Sequence, residues 1–313
     1  MSVQEGGVEK ALESGNAQHG VRNAEVTRVA LLAVLSYIAF SVGIPLISLP
    51  HVAGPWIGPA ALLATLITTF VFMFLQLWVA RSLVNVGTRA LGAAIAVVAS
   101  TLLWYLCFVL KTHEQLLRRL PEDPLMVMGV AGMGVTLTVG LSYLGIVLSR
   151  IIREPNVLLP VAFVAMPIDY LGAMTPTGYT ADMVKHHPHA VQNVMVSVPH
   201  VQGLMPIGFI GPGDVLFVAF FLAVVQHLSL NERGTFRWMY ILLTATMVVV
   251  AIAPIPINIA ALVPMGLAVL IANFRHFKLQ RSEVFASIYA AIIVIALAFG
   301  FYTYSHHHLF GGK

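Results

Sequence analysis

Charged residues are scarce in this sequence. Only 10% of the 313 residues are Asp, Glu, Lys or Arg, whereas 58% are hydrophobic and the mean hydropathy is +0.88. Because soluble domains carry about 25% charged residues, this composition excludes a soluble protein. The 17 basic residues are scattered between apolar runs, which argues against nucleic acid as a partner despite the net charge of +4. We therefore expect an all-α, polytopic integral membrane protein.

Cysteine is nearly absent too. Cys107 is the single cysteine, so the chain forms no internal disulfide and has no CxxC motif. The motifs of two other classes of membrane protease are also missing. There is no HExxH, since His113-Glu114 is followed by Gln-Leu-Leu, and there is no GxSG. These absences exclude zinc-metalloprotease and rhomboid-type serine chemistry, and we expect neither a metal nor an organic cofactor.

Long apolar runs make up most of the chain. A membrane-spanning helix needs about 20 apolar residues, and nine runs reach or approach this length, which predicts about nine transmembrane helices in one domain over residues 27–304. The polar segment 1–26, interrupted by four glycines, predicts a disordered cytoplasmic tail, and residues 305–313 a C-terminal tail. The first run is too long for a cleavable signal peptide and is predicted to be a signal anchor. The runs are Thr27–Leu49, Ile57–Val79, Gly87–Leu110, Leu125–Leu148, Pro155–Thr175, Met205–Leu228, Trp238–Ala253, Ile257–Phe274 and Val284–Tyr304.

The basic residues favour one orientation of these helices. With nine spans and a cytoplasmic N-terminus, 12 of the 17 basic residues fall in inner segments and five in outer ones, as the positive-inside rule requires. Merging the seventh and eighth runs weakens this bias. We therefore predict a cytoplasmic N-terminus, an outside C-terminus and an outward-facing loop at residues 177–204, in the cell membrane if the source is prokaryotic.

Two acidic residues lie inside the apolar runs. Of the 13 acids, only Asp169 and Asp214 are far from a tail, a loop or a span end. An ionisable group there costs at least roughly 2.5–3.5 kcal/mol, which usually marks a functional residue. In the predicted topology the acids lie about 10 and 13 Å below the same membrane face, on consecutive antiparallel spans. If these spans pack as neighbours, the two carboxyl groups can meet.

Such a pair has a defined chemistry. Two carboxyl groups a few ångströms apart do not both ionise readily, so one is expected to be protonated and the other charged. The charged member takes a proton from water, and the neutral member donates one to the scissile carbonyl, as in aspartic proteases. Gly211, Pro212 and Gly213 directly before Asp214 predict irregular backbone, which is tolerated at membrane depth where it lines a watery cavity.

The segments around both acids resemble a known motif pair. Asp169 is followed by Pro176 and Gly178 at the spacing found in presenilins, and Gly211-Pro212-Gly213-Asp214 is similar to the GxGD motif of presenilins and signal peptide peptidases. The chain thus resembles this family of intramembrane aspartyl proteases, as a microbial-type homologue. The resemblance implies a presenilin-like fold with Asp169 and Asp214 catalytic and with motif residues supporting the backbone, namely Gly211, Pro212, Gly213, Pro176 and Gly178. The family's third motif, Pro-Ala-Leu, has its best candidates for substrate positioning at Pro254, Pro256 and Asn258, and further on at Ala261-Leu262.

The resemblance implies an endopeptidase that cleaves transmembrane helices or remnant signal peptides in the bilayer. In that family the segment between the aspartate helices pairs with substrate, and here Val191–Val201 is predicted to be either a strand or a loop. The histidines of the same loop, His186, His187 and His189, are either solvated or metal-binding. Two other functions remain open: a proton- or cation-coupled transporter that uses both acids as a relay, and a prepilin-type GxGD peptidase, although Val215–Gln226 has no lysine.

Overall fold

The structure is a computed structural model, and it describes residues 5–47, 57–116, 124–174, 193–202, 204, 209–252 and 260–277, with the single residues 183, 186, 289, 292, 296 and 300. It is all-α apart from two strands of two residues each. The helices are α1 (Glu5–Gly43), α2 (Ile57–Asn85), α3 (Ala90–Leu116), α4 (Pro124–Ser149), α5 (Leu158–Met174), α6 (Pro212–His227), α7 (Glu232–Ile252) and α8 (Leu262–Asn273). The strands β1 (Val196–Ser197) and β2 (Phe209–Ile210) lie between α5 and α6.

Five helices within the described residues are long and apolar enough to cross a membrane, which fits a membrane protein. They cover Asn23–Leu46, Gly58–Asn85, Ala90–His113, Pro124–Ser149 and Pro155–Ala173, close to the first five predicted spans. Helices α6 and α8 are apolar but shorter, with 16 and 12 residues. The ninth predicted span lies outside the described residues except for isolated helical positions. The count of nine therefore stays a prediction.

The N-terminal segment differs from its prediction. Helix α1 begins at Glu5, so most of the predicted disordered tail is helical, and its four glycines do not interrupt the helix. The residues between these glycines include good helix formers such as Ala, Leu, Glu and Lys. Extending an existing helix avoids the unfavourable nucleation step, so the apolar half of α1 provides a template for the polar half.

Helix α6 lies at the centre of the bundle. Its residues from Val218 to Val225 are all buried, as expected for a helix that is apolar on every side. It packs against α2, α4, α7 and α8. The closest approach is at Gly145 of α4, where an added methyl group would lie 2.5 Å from the Leu216 carbonyl oxygen. This packing fixes the helix that carries Asp214.

Polar contacts join the helices at the end of the bundle where α6 ends and α7 begins. Arg81 of α2 pairs with Glu232 of α7 at 2.7 Å, and the Gln226 side chain donates to Asn85 at 2.8 Å. The buried Asn273, at the end of α8, accepts a hydrogen bond from the backbone N–H of Asn231 at 2.8 Å. We call this the far end, because both aspartates lie toward the other end of their helices.

Candidate active site

Asp214 lies in the first turn of α6. Gly211 is the N-cap residue, with extended backbone at φ −66° and ψ 151°, and Pro212 is the first helical residue. The Gly211 N–H donates to Oδ2 of Asp214 at 3.0 Å, which is one half of a capping box. Proline suits this position because its missing N–H is not needed in the first turn. Of the three residues predicted to have irregular backbone, Gly211 is extended and holds the Asp214 carboxyl group, whereas Pro212 and Gly213 belong to the first turn of α6.

The two glycines of this motif have different surroundings. A methyl group added at Gly211 would lie 3.1 Å from Oδ2 of Asp214, whereas one added at Gly213 would meet nothing within 4 Å. Gly211 therefore leaves room for the aspartate side chain, and Gly213 borders open space.

Asp169 lies near the C-terminal end of α5, two residues after Pro167. Proline inside a helix removes one backbone hydrogen bond and favours a kink, so Asp169 follows a weak point in its helix. Its Oδ2 accepts a hydrogen bond from the backbone N–H of Leu262 at 2.8 Å. Leu262 is the first residue of α8, and helix N-termini carry positive partial charge. Asp169 is therefore held by a helix start that comes 93 residues later in the chain.

The structure places the two predicted acids close enough for their charges to interact. Both side chains are partly buried. Helix α8 makes this possible, because it packs on both α5 and α6, whereas α5 and α6 share no extensive contact. Each carboxyl group is bound through Oδ2 by one backbone N–H. Among the described residues, the hydrogen bonds to the two carboxyl groups all go to Oδ2.

The short sheet leads directly into the Asp214 motif. Val196 pairs with Ile210 and Ser197 with Phe209, in antiparallel register, and Ile210 immediately precedes Gly211. The segment Val191–Val201, predicted to be a strand or a loop, thus contains a two-residue strand. Val196 is buried against α4, where an added methyl group at Gly134 would lie 3.5 Å from its Cγ1. Beyond the sheet, the Gln202 N–H donates to the Ile47 carbonyl at 2.9 Å.

Several predicted site residues lie outside the described residues, namely Pro176, Gly178, Pro254, Pro256 and Asn258. Of the candidates for the third motif, Ala261-Leu262 is described, and it lies against Asp169. Sequence reasoning gave more weight to the prolines, because proline was the distinctive residue of the motif. Leu262 lies inside the apolar run predicted over Ile257–Phe274, and it binds Asp169 through its backbone N–H, which no side chain in the sequence signals.

No metal site is apparent among the described residues, where no three His, Cys, Asp or Glu side chains form a cluster. Most of the histidine-rich segment lies outside them, and His186 alone belongs to them. A small cavity lies between α2 and the residues after β1, lined by Thr65, Thr68, Thr69 and His200 among others. Neither aspartate lines this cavity.

No family model, no curated protein and no solved structure matches this chain. The family resemblance therefore depends on the two aspartate motifs. Any function proposed for this protein has to be argued from the geometry around Asp169 and Asp214.

Proposed function

We propose that this protein is an intramembrane aspartyl endopeptidase with Asp169 and Asp214 as its catalytic pair. The observation that supports the proposal is the placement of these two carboxyl groups within range of each other's charge, on helices that α8 links. They come from helices separated by 37 residues of chain, between the end of α5 at Met174 and the start of α6 at Pro212. Each is the functional acid predicted from an apolar run, and each binds a helix N-terminus.

The arrangement suits hydrolysis of a peptide bond. One carboxyl group, ionised, takes a proton from a water molecule that attacks the scissile carbonyl carbon. The other, protonated, donates a hydrogen bond and then a proton to the carbonyl oxygen. Backbone N–H groups hold both Oδ2 atoms, so the Oδ1 atoms stay in place while the protons move. Preorganised groups of this kind need little rearrangement during the reaction.

The substrates we propose are single transmembrane helices or remnant signal peptides. A helix has to unwind before its backbone reaches two carboxyl groups, because its carbonyls are hydrogen-bonded internally. The strand β2 next to Gly211 offers main-chain groups for pairing with an extended segment, a recognition mode that demands little of the substrate sequence. The open space beside Gly213 gives this segment room.

The proposed setting is a membrane with the N-terminus in the cytoplasm and both aspartates toward the outer face. This orientation follows from the distribution of basic residues. Removing basic residues from the short inner loop at Arg150 and Arg153 should weaken the orientation. Labelling of single introduced cysteines from each side of the membrane, in a Cys107→Ala background, measures it directly.

The decisive experiment is cleavage of a labelled single-span peptide by purified protein in detergent. We expect wild type to cut the peptide, and we expect Asp169→Asn and Asp214→Asn each to lose at least about a thousandfold in rate, as when one member of a catalytic unit is removed. Glu232→Gln is the matched control, since it neutralises an acid at the far end. Binding of a transition-state-analogue aspartyl inhibitor should raise the melting temperature of wild type and not of the two Asn variants.

A different pattern would overturn the proposal. If wild type cuts none of a broad peptide panel, and the same Asn variants abolish proton- or cation-coupled uptake into liposomes, the acids form an ion relay. If one Asn variant keeps wild-type cleavage, the pair does not act as a unit.

A further inference from the structure

One cation is buried in the protein. Lys111, near the end of α3, is only 9% exposed, and it is the sole Lys, Arg, Asp or Glu among the buried residues described. Helix α4 covers its stem, since a methyl group added at Gly129 would lie 3.5 Å from the Lys111 Cβ. Burying an ammonium group is costly unless it is well bonded. A buried lysine in an apolar helix therefore indicates a function for its charge.

The Lys111 ammonium binds the segment between the two aspartates. Its Nζ donates to Oδ1 of Asn193 at 2.9 Å. Asn193 lies three residues before Val196, the first residue of β1. A hydrogen bond from a charged donor is stronger than one between neutral groups, so this contact is a firm attachment of the segment to α3.

The attachment continues to Asp214 through the sheet. Val196 of β1 pairs with Ile210 of β2. Gly211 is the next residue in the chain, and its N–H donates a hydrogen bond to the Asp214 carboxyl group at 3.0 Å. Two further contacts fix β1 and the residues after it, namely the packing of Val196 on Gly134 and the backbone bond from Gln202. Among these contacts, the Lys111–Asn193 bond is the one made by polar side chains.

We propose that Lys111 is a positioning residue for the peptidase reaction, which acts by clamping β1 through Asn193 and thereby sets where β2 and Asp214 stand. The inference rests on the proposed function. The clamp keeps the strand pair closed beside the acids while substrate binds. Without this clamp, the two strands separate more often. The substrate can then bind in more than one register, so that different peptide bonds reach the carboxyl groups.

The test compares Lys111→Met, Asn193→Leu and the double variant with wild type. Methionine keeps an unbranched apolar stem in place of lysine, so α3 still packs on α4. Thr112→Val is the matched control, because Thr112 is exposed on the same helix and its hydroxyl bonds only within that helix, to the Phe108 carbonyl. Two readouts are needed: hydrogen exchange of the backbone amides in residues 193–211, and the rate and position of cleavage.

We expect amide exchange around Val196 and Ile210 to speed up at least about tenfold in Lys111→Met, since a bond to a charged group is lost and local opening becomes easier. Cleavage should slow by about the same factor and spread to neighbouring peptide bonds. The double variant should show less than the sum of the two single effects, because both substitutions remove the same contact. Thr112→Val should resemble wild type in every readout.

The exchange measurement separates this proposal from the proposed function. If wild type cleaves nothing while Lys111→Met still loosens residues 193–211, the peptidase assignment fails and the clamp stands as a structural contact only. Unchanged exchange in both single variants would overturn the clamp. Additive effects in the double variant would also overturn it. So would a decrease in cleavage rate that follows a decrease in melting temperature while the position of the cut stays the same.

Discussion

Gly211→Ala tests the geometry of the candidate active site directly. The added methyl group would lie 3.1 Å from Oδ2 of Asp214, closer than normal carbon–oxygen contact, and the same oxygen accepts the Gly211 N–H at 3.0 Å. The carboxyl group has to move by a few tenths of an ångström, which strains or breaks this hydrogen bond. A hydrogen bond to a charged group contributes about 1.5–3 kcal/mol. Loss of half to all of it corresponds to a decrease in kcat of roughly 5- to 100-fold.

Gly213→Ala is the matched control, because its methyl group enters open space. The protein should be as stable as wild type or more stable, since alanine in a helix is better than glycine by about 1 kcal/mol. Any effect on cleavage should appear in KM and in the position of the cut, where substrate meets the methyl group. Steady-state cleavage and thermal unfolding of both variants check this. Full kcat in Gly211→Ala would refute the reasoning that Gly211 exists to make room for the Asp214 carboxyl group.

Four further substitutions test packing and polar contacts in the helix bundle. Gly145→Ala should destabilise the protein by about 1–3 kcal/mol or prevent folding, because its methyl group meets fixed backbone of α6; Gly134→Ala, which makes only ordinary contact, should unfold at nearly the wild-type temperature. His227→Phe should lower the melting temperature, since the ring contacts the Ile152 carbonyl at 2.7 Å and the Ala223 carbonyl at 2.9 Å; an unchanged melting temperature would show that neither contact stabilises the protein. Glu232→Gln should change stability by no more than about 1 kcal/mol, because its ion pair with Arg81 is partly exposed, and a larger loss in thermal unfolding would contradict this.

The sequence predicted those features that depend on local composition. Apolar runs located the five long apolar helices to within about six residues, because a membrane-spanning helix requires both length and hydrophobicity. Asp169 and Asp214 stood out because an acid in an apolar run is expensive. The sixth run was predicted to begin at Met205, whereas α6 begins at Pro212, where the backbone preferences of Gly211 and Pro212 favour the start of a helix.

The sequence did not predict the features that depend on distant parts of the chain. The contact between Leu262 and Asp169 joins residues 93 positions apart and uses only a backbone N–H, so no side chain signals it. Lys111 directly follows the third predicted run, which ends at Leu110, and its burial results from packing of α3 on α4. The N-terminal extension of α1 was not predicted for another reason. The glycines of residues 1–26 were each taken as helix breakers, without regard to the apolar helix that follows them.

The placement of both acids at helix N-termini bears on the choice between a peptidase and an ion relay. A relay passes a proton or cation onward, which requires further polar groups along a path beyond the pair. Among the residues that the structure describes, the partners of both carboxyl groups are the backbone N–H groups of Gly211 and Leu262, which neither accept nor pass on a proton. Such partners favour a fixed pair that reacts with what enters beside it. Helix α8 is central to this argument, because it binds Asp169 while packing on the helix of Asp214. Helix α8 thus sets the distance between α5 and α6. Under the proposed function, movement of α8 would separate the two acids, and they could no longer act on one carbonyl group.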